Sequence, residues 1–541
     1  MVSSVSGTNS GDSKRVNVFY FSDYHGNVPA YRHLKTASDE FDKKHQDSEN
    51  LKLSGGDITA GSDPKKNILL YRLLKQMKMD ASAVGNHEWD NKVNFYGEFN
   101  KLFNNAPNLL FNNYLSCNTD APDNKIYKNE GLFQSKIITK NNEKYGIIGA
   151  TTYDDYQFEH CKMHNLDQTK KDITTEIQNL KAKEPSLNKF ILVSHLGIDA
   201  DKKIAQEVSG LDVIIGGHSH NLVKGVTPGE NLFMSPKNEP VLMVQAGNEK
   251  TFGELSVVFD KEGKIDLSKG NEPVNTVKYH QDFAENKEVR ELEDKILGAA
   301  MPLGVLTKTI KPDNPLIEEN PLATLNADAL KNVTKSDIAL LNAGSFRSFI
   351  NAGPITQRNI EYCIPFSNDV VKIKCTGKQI ADVIKLGVES TKPEHVNPGL
   401  FQVAGLKYTI TPDKKLKDLY TVDEKGDKQL DLVDSQGNVV AENSSKQLTV
   451  ALTDFMIEQI AKRGILKDFV ITENNKLKVD EKQVIKRYVK QREMLINYVK
   501  TDFAAKNRPI DIETGRITIE KSDKPADNSF LSLVNRFTQR N

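Results

Sequence analysis

The sequence has few cysteines and no long apolar segment. Its four cysteines are scattered over 541 residues, which excludes a disulfide framework. No apolar run approaches the roughly 18 residues that a transmembrane helix requires. The opening MVSSVSGTNSGDSK lacks the apolar core of a secretory signal peptide, so we expect none in this sequence, although an earlier leader could have been removed.

An excess of charge of one sign is also missing. Lys and Arg together number 73, and so do Asp and Glu, so no net field attracts the chain to a nucleic acid polymer or a membrane surface. The sequence shows no internal repeat. With 38% hydrophobic and 27% charged residues, its composition is that of an ordinary globular protein, which excludes fibrous and disordered classes.

The length indicates more than one domain. At 541 residues the chain exceeds the roughly 250–300 residues at which single hydrophobic cores stop growing. In the first half, short β-branched runs alternate with helical stretches, which predicts a layered α/β fold, and a second α/β unit follows. The predicted segments are a disordered tail over 1–14, a first domain over 15–275, a linker with a helix over 276–311, a second domain over 312–520 and a flexible tail over 521–541.

Potential metal ligands follow the predicted strands of the first domain. In chain order they are Asp23, His25, Asp57, Asn86, His87, His195, His218 and His220. Because ligands bind at the carboxyl ends of strands in open α/β sheets, we expect these side chains to meet. Carboxylate, amide and imidazole donors without a thiolate favour zinc, manganese or iron.

The number of these donors indicates two ions. Seven or more ligands exceed the needs of one four-coordinate ion and suit two ions that share a bridging ligand. Ion pairs about 3.5–4 Å apart occur in phosphatases and nucleases, where they polarise phosphoryl oxygens and activate water as a nucleophile. The sequence therefore predicts a two-metal hydrolase of phosphate esters.

The motifs that carry these residues resemble a known family. D-x-H, GGD, GNHE, a single SH and GHSH occur in the order and spacing of the calcineurin-like metallophosphoesterases. GNHEWD and the second half of the chain resemble the two-domain 5′-nucleotidase family from about Val16 to Ile519. The resemblance implies an αββα metallophosphatase domain followed by a smaller α/β substrate-binding domain. It also implies removal of phosphate from nucleotides or other small phosphate esters with two divalent metal ions.

The resemblance assigns a role to each position of the centre. The metal ligands would be Asp23, His25 and His220 for one ion, Asn86, His195 and His218 for the other, and Asp57 as the bridge. Many family members have Gln where this chain has His220, and either residue can bind a metal. His87 would stabilise charge on the transferring phosphoryl group, and Asp90 would orient His87.

A loop of the second domain carries candidate substrate-binding residues. NAGSFR, residues 342–347, follows a predicted strand and resembles the family's N-x-G-x-x-R loop. The resemblance implies that Asn342, Gly344 and Arg347 bind substrate, and a guanidinium suits a planar acceptor. Taken alone, the same residues are also typical of a simple turn.

Two aromatic residues are the candidates for nucleobase stacking. Phe366 in IPF and Phe455 in TDF match the segments from which the family takes its stacking rings; the alternative is two core phenylalanines. After Phe455 the family's GGDGF-like turn is missing, and Ile317 stands where an Arg is usual. The sequence thus predicts an intact metal centre beside an altered nucleoside pocket.

Several other functions remain open. The same metal centre could serve a 2′,3′-cyclic phosphodiesterase with 3′-nucleotidase activity, or a nucleotide-sugar pyrophosphatase. A related family hydrolyses sulfur esters on a carrier protein, and a binding protein without turnover is a further alternative. Members of the resembled family are mostly secreted, periplasmic or surface-anchored, so we expect an extracytoplasmic location.

Overall fold

The structure, a computed structural model, describes most of the chain. It covers residues 14–60, 63–89, 111, 113–120, 132–153, 162–310, 317–346, 350–366, 368–391, 399–473 and 476–520. Of the predicted tails, 1–14 and 521–541, all but Lys14 lie outside these residues, and Lys14 begins the first strand. The chain divides into two compact units, the first extending to Gly298 and the second beginning at Ala299. Among the described helices, none has both the length and the apolar character needed to cross a bilayer.

Two mixed sheets form the centre of the first unit. The larger sheet contains, in spatial order, β15 (Val274–Tyr279), β14 (Thr251–Phe259), β1 (Lys14–Phe21), β2 (Glu49–Ser54), β3 (Ala81–Ala83), β4 (Tyr114–Leu115) and β6 (Leu132–Phe133). The smaller sheet contains β12 (Leu232–Met234), β13 (Pro240–Gln245), β11 (Val213–Gly216), β10 (Phe190–His195), β8 (Glu143–Thr151) and β7 (Ser135–Lys140). A short separate ribbon pairs β5 (Thr119–Asp120) with β9 (Lys162–Met163).

Parallel pairing aligns the strand ends that matter for function. Strands β1, β2 and β3 pair in parallel in the larger sheet. Strands β8, β10, β11 and β13 pair in parallel in the smaller sheet. Since parallel neighbours end at the same edge, each sheet presents several carboxyl ends together.

Helices cover the outer face of each sheet. On the larger sheet, Phe41 of α1 (Val28–Lys44) packs against Phe19 of β1 with ring centroids 5.5 Å apart. Tyr71 of α2 (Pro64–Gln76) contacts Tyr114 of β4. On the smaller sheet, α3 (Leu166–Lys183) and α4 (Ile198–Glu207) pack into one apolar cluster with β10 and β11. A second cluster fills the space between the sheets and joins residues such as Leu53 and Val193. The expected αββα layering is confirmed.

The helix expected in the linker packs on the first unit. This helix, α5 (Lys287–Leu297), buries Val289 and Glu293. The Glu293 carboxylate accepts hydrogen bonds from Arg32 in α1, at 3.0 Å from Nε and 2.9 Å from Nη2. Strand β15 likewise lies across the predicted boundary at residue 275 and belongs to the larger sheet. Residues 274–297 are thus integrated into the first unit rather than forming a free linker.

The second unit is built on a five-stranded sheet. In spatial order it contains β20 (Phe401–Ala404), β17 (Ile338–Asn342), β24 (Gln447–Thr453), β19 (Asp369–Thr376) and β27 (Val484–Lys490). A four-stranded sheet contains β23 (Lys428–Val433), β22 (Leu416–Val422), β21 (Leu406–Ile410) and β28 (Ile517–Ile519). Two ribbons pair β16 (Pro302–Leu306) with β18 (Gly353–Thr356), and β25 (Val470–Glu473) with β26 (Lys476–Val479).

Each face of the five-stranded sheet has its own apolar core. One core includes α8 (Gly377–Glu389), α9 (Asp454–Lys462) and the four-stranded sheet. The other includes α6 (Pro321–Thr334), α7 (Gln357–Cys363) and α10 (Gln491–Val499). This confirms the α/β class of the second unit, whose first strand, β16, begins ten residues before the predicted boundary at 312.

The ion pair that anchors α5 gives a testable prediction. We expect Arg32→Ala to lower the free energy of unfolding by about 3 kcal/mol, because it removes the cation that the buried Glu293 carboxylate contacts. Urea unfolding followed by circular dichroism measures this change. The control Lys287→Ala, at an exposed position of the same helix, should stay within about 0.5 kcal/mol of the wild type. An equally small effect of Arg32→Ala would mean that the helix is not anchored through this pair.

Candidate metal centre

Five strand ends bring the predicted ligands together. β1 is followed by Asp23 and His25, β2 by Asp57, and β3 by Asn86. β10 ends at His195, and β11 is followed by His218 and His220. Six of the seven side chains are buried, and His218 is partly exposed.

The first group of donors surrounds Asp23. His220 Nε2 lies 3.2 Å from Asp23 Oδ1. The rings of His25 and His220 lie 5.1 Å apart. One donor atom from each of Asp23, His25 and His220 lies within 4.8 Å of the other two, so the three side chains can bind one cation.

Asp57 lies between two sets of donors. Its Oδ2 is 3.3 Å from His25 Nε2 on one side and 3.1 Å from His195 Nε2 on the other. Asn86 extends the second set, since its Oδ1 lies 3.2 Å from His195 Nε2 and 3.1 Å from His218 Nδ1. Asp57 therefore occupies the position expected of a ligand that two cations share.

The donor set fits divalent cations. His195 Nδ1 lies 2.7 Å from the Gly55 carbonyl, so this nitrogen donates and Nε2 is left to face the carboxylates, as in metal-binding histidines generally. His87 also lies close, because one of its ring nitrogens, one of His25 and an oxygen of Asp57 are all within 4.8 Å of one another. Geometry alone therefore allows His87 to be either a ligand or a neighbour of the metals.

The backbone of the centre is strained. Five of the predicted ligands have positive φ values: Asp23 (60°), His25 (46°), Asp57 (51°), His218 (71°) and His220 (54°). Each such conformation of a residue other than glycine costs on the order of 1–3 kcal/mol, and these conformations cluster at functional sites. Tight turns after the strands allow ligands of the same loop, such as Asp23 and His25, to point into one space.

Glycine is required where the loops approach each other. A Cβ atom on Gly85 would lie 2.0 Å from Asp57 Oδ1, and one on Gly56 would lie 2.8 Å from His195 Nδ1. Gly56 also has φ +95°. The GGD and GNHE motifs therefore supply space for the carboxylate and imidazole as well as ligands.

The burial of so many titratable groups separates their pKa values. Burial lowers the pKa of His25 to about 4, which keeps this imidazole neutral and able to bind a metal. Burial would also lower the pKa of His195, but the Asp57 and Asp23 carboxylates outweigh it and raise that pKa to about 10. For Asp57 the neighbouring histidines outweigh burial and lower the pKa. Without cations, the Asp57 and Asp23 carboxylates thus favour the protonated form of His195.

Glu88 is a residue of the centre to which sequence reasoning gave no role. It is completely buried next to His87, and both of its carboxylate oxygens accept hydrogen bonds from the loops that carry Asp57 and Asn86. Burial and the Asp57 carboxylate raise the pKa of Glu88 to about 7, while backbone N–H donors oppose this rise. The GNHEWD motif contains this residue, but its contacts become visible only in the folded chain.

The candidate substrate residues of the second unit occupy defined positions. Asn342 ends β17, and its Oδ1 accepts a hydrogen bond from Ser345 across a short turn that contains Gly344. Phe366 is half-buried before β19, whereas Phe455, near the start of α9, is 42% exposed and is not a core residue. Asp90 and Arg347, the remaining predicted site residues, lie outside the described residues.

Two family models match the chain. Residues 16–222 match the calcineurin-like phosphoesterase model, and residues 302–459 match the 5′-nucleotidase C-terminal domain model. The first match lies in the first unit and contains every candidate ligand discussed above; the second lies in the second unit.

Individual relatives agree with these matches. The trifunctional nucleotide phosphoesterase protein YfkN of Bacillus subtilis (strain 168) is 26% identical over 74% of this chain and 29% of its own length. A 5′-nucleotidase-related protein of Glossina morsitans morsitans is 28% identical over 61% of this chain and 62% of its own length. The chain thus spans less than two thirds of either relative. A 5′-nucleotidase precursor of Thermus thermophilus, 21% identical, has the same fold, with a TM-score of 0.68 over 94% of this chain and all of its own.

The position of Asp57 gives a testable prediction. We expect Asp57→Asn to lower the amount of bound metal and to reduce phosphate release by at least about 10³-fold, because a neutral amide cannot balance two cations. Metal content is measured by mass spectrometry after equilibrium dialysis. The control Asp39→Asn changes a partly exposed carboxylate of α1 and should leave both quantities unchanged. Full metal content and activity in Asp57→Asn would exclude Asp57 as a ligand.

Proposed function

Because the chain belongs to the family of two-domain proteins with a calcineurin-like phosphoesterase domain and a 5′-nucleotidase C-terminal domain, we propose that it is a metal-dependent hydrolase that removes phosphate from nucleotides. The observation that carries the proposal is the convergence of Asp23, Asp57 and three histidines from both sheets on one buried site. The test is a phosphate-release screen with manganese or zinc across 5′-, 3′- and cyclic nucleotides and a simple aryl phosphate. Release from none of them would contradict the proposal.

The proposed centre holds two divalent cations, zinc, manganese or iron. Asp23, His25 and His220 would hold one, Asn86, His195 and His218 the other, and Asp57 both. When bound, the cations supply Lewis-acid activation of the phosphoryl group and of water. The turns after the strands hold these side chains close together, which is the arrangement that a metal site requires.

His87 is the proposed catalytic side chain. Its backbone N–H donates to Asp57 Oδ1 at 2.9 Å, and its ring lies 5.1 Å from that of His25, nearly perpendicular to it. The ring is mostly shielded from solvent, with the residue 7% exposed. A cationic or hydrogen-bonding imidazole at this place would stabilise the negative charge that develops on the phosphoryl oxygens.

The second unit is proposed to bind the nucleoside. The exposed ring of Phe455 supports this role, since a large apolar side chain gains little stability at a solvent-accessible position. The aromatic face of Phe366 and the turn at Asn342 and Gly344 complete the proposed substrate residues, together with Arg347. An aromatic face accepts any nucleobase, so this recognition is expected to be broad.

A second candidate is the cleavage of more than one kind of nucleotide phosphoester. The B. subtilis relative is described as trifunctional, and this chain lacks the family's Asp after Phe455, which would otherwise fix the ribose. Comparable hydrolysis of 5′-, 3′- and cyclic nucleotides, the last followed as formation of the ring-opened monophosphate by chromatography, would favour this candidate over a strict 5′-nucleotidase.

We also propose an extracytoplasmic location. The T. thermophilus structure is described as that of a precursor, which agrees with export of that relative. Fractionation of cells that express the natural full-length protein tests this location, and recovery in the cytoplasmic fraction alone would contradict it.

The role given to His87 predicts a separation of metal binding from turnover. We expect His87→Ala to keep its metal content while kcat falls by about 10²–10⁴, the usual effect of losing one positioned acid or electrostatic group. His45→Ala, at the partly exposed end of α1, is the control and should keep kcat within about twofold. Loss of metal from His87→Ala would show that His87 is a ligand.

The role given to Phe455 predicts a change in substrate selection. We expect Phe455→Ala to lower kcat/KM for nucleotides by about 5- to 150-fold, since losing one stacking face costs roughly 1–3 kcal/mol. Hydrolysis of a small aryl phosphate should barely change, because it has no nucleobase. Phe133→Ala removes a ring that is 37% exposed in the first unit and should change neither rate. Equal losses on both substrates would instead give Phe455 a structural role.

A further inference from the structure

The carboxylate of Glu88 is saturated by donors from two loops. Its Oε1 accepts hydrogen bonds from the backbone N–H groups of Ile58 (2.8 Å) and Thr59 (2.9 Å) and from the Thr59 hydroxyl (3.1 Å). Its Oε2 accepts from the N–H groups of Asp57 (3.0 Å) and Gly85 (2.7 Å). A single buried side chain therefore ties the backbone after β2 to the backbone after β3.

The backbone segment after β2 that Glu88 holds also binds the loop after β1. The carbonyl oxygens of residues 56–58 accept hydrogen bonds from the backbone N–H groups of Asp23 (2.9 Å), His25 (2.9 Å) and Gly26 (2.8 Å). The turn after β1 is thus built on the segment that Glu88 fixes. Three of the five ligand-bearing strand ends depend on this one carboxylate, directly or through one hydrogen bond.

The conformation that Glu88 holds is one that the chain does not otherwise favour. Asp57 has φ 51°, which is uncommon for a residue with a side chain. Its Oδ2 lies between His25 and His195, so a small rotation of this backbone would move that oxygen out of reach of one of them. Three of the four backbone N–H groups that donate to Glu88 belong to Asp57 and to the two residues after it, where such a rotation would occur.

Glu88 acts through other residues rather than as a ligand. Among the described residues, the groups of side chains able to hold a metal do not include it. Within the described part of the chain its five hydrogen bonds all come from N–H or O–H donors, which suits an ionised carboxylate because that group only accepts hydrogen bonds. A glutamine of the same size would keep one acceptor oxygen but turn an NH2 group towards backbone N–H donors.

We infer that Glu88 is a positioning residue that sets the metal affinity of the centre by holding the Asp57 segment in its ligand-binding conformation. The inference rests on the metal centre of the proposed function and is independent of the substrate.

The experiment compares metal affinity with stability in the metal-free protein. Dissociation constants for Mn²⁺ and Zn²⁺ are measured by competition with a chromogenic chelator, and stability by urea unfolding without metal. We expect Glu88→Gln to weaken metal binding by about 10- to 100-fold, the usual effect of changing a residue that orients ligands. Glu88→Asp, which keeps the charge but is shorter, should fall between Gln and the wild type.

The matched control is Glu293→Gln. Glu293 is also a buried carboxylate of the first unit. Unlike Glu88, it lies in α5 and pairs with Arg32 of α1. This variant should lose stability and keep its metal affinity within about twofold of the wild type. A purely structural role for Glu88 would give the same pattern in Glu88→Gln and would overturn the inference.

Two further results would also decide the question: a Glu88→Gln variant that does not fold, and a wild-type chain that lacks activity or metal binding. If Glu88→Gln does not fold, Thr59→Val tests the same carboxylate by removing one donor, and unchanged metal affinity in Glu88→Asp and Thr59→Val overturns the inference. A wild-type chain that binds metal but releases no phosphate contradicts the proposed function and leaves the affinity comparison valid. A wild-type chain that binds neither Mn²⁺ nor Zn²⁺ overturns both.

Discussion

The centre of the first unit depends on two carboxylates that are buried side by side. Asp23 and Asp57 are 0% and 2% exposed, and their nearest ligand oxygens lie within 4.8 Å of each other. At this distance two unit charges repel by about 3.5 kcal/mol for an effective dielectric constant of 20. Because the Asp57 and Asp23 carboxylates raise the pKa of His195, the protonated imidazole offsets part of this repulsion, and bound divalent cations would offset more. Gly56 and Gly85 leave space for the side chains of the centre, and we propose that Glu88 holds the Asp57 segment in place.

The sequence predicted the candidate ligands because their positions follow from topology. Each lies within a few residues of a strand end, and parallel neighbours end at a common edge, so Asp23 and Asp57, which follow the paired strands β1 and β2, could be placed together without coordinates. The contacts of Glu88 could not be predicted, since they join loops that are distant in the chain. The docking of α5 on α1 was not predicted either, because the Arg32–Glu293 pair joins residues 261 positions apart in the chain.

The residues of the first unit indicate its function more specifically than those of the second unit do. In the first unit the donor set favours divalent metals, because carboxylate, amide and imidazole converge without thiolate, and the match to the calcineurin-like phosphoesterase model indicates phosphoester chemistry. In the second unit the exposed Phe455 is proposed to stack on a nucleobase, an interaction that is tolerant of base identity. We therefore expect the departures after Phe455 and at Ile317 to affect the choice of substrate more than the reaction.

The most direct test of a two-cation hydrolase is a metal titration of the metal-free chain, with phosphate release recorded at each addition of Mn²⁺ or Zn²⁺. If Asp57 is shared by two cations, activity should rise until two equivalents per chain have been bound and then stay constant. Full activity with one bound equivalent, or phosphate release from the metal-free chain at the same rate, would contradict a two-cation centre.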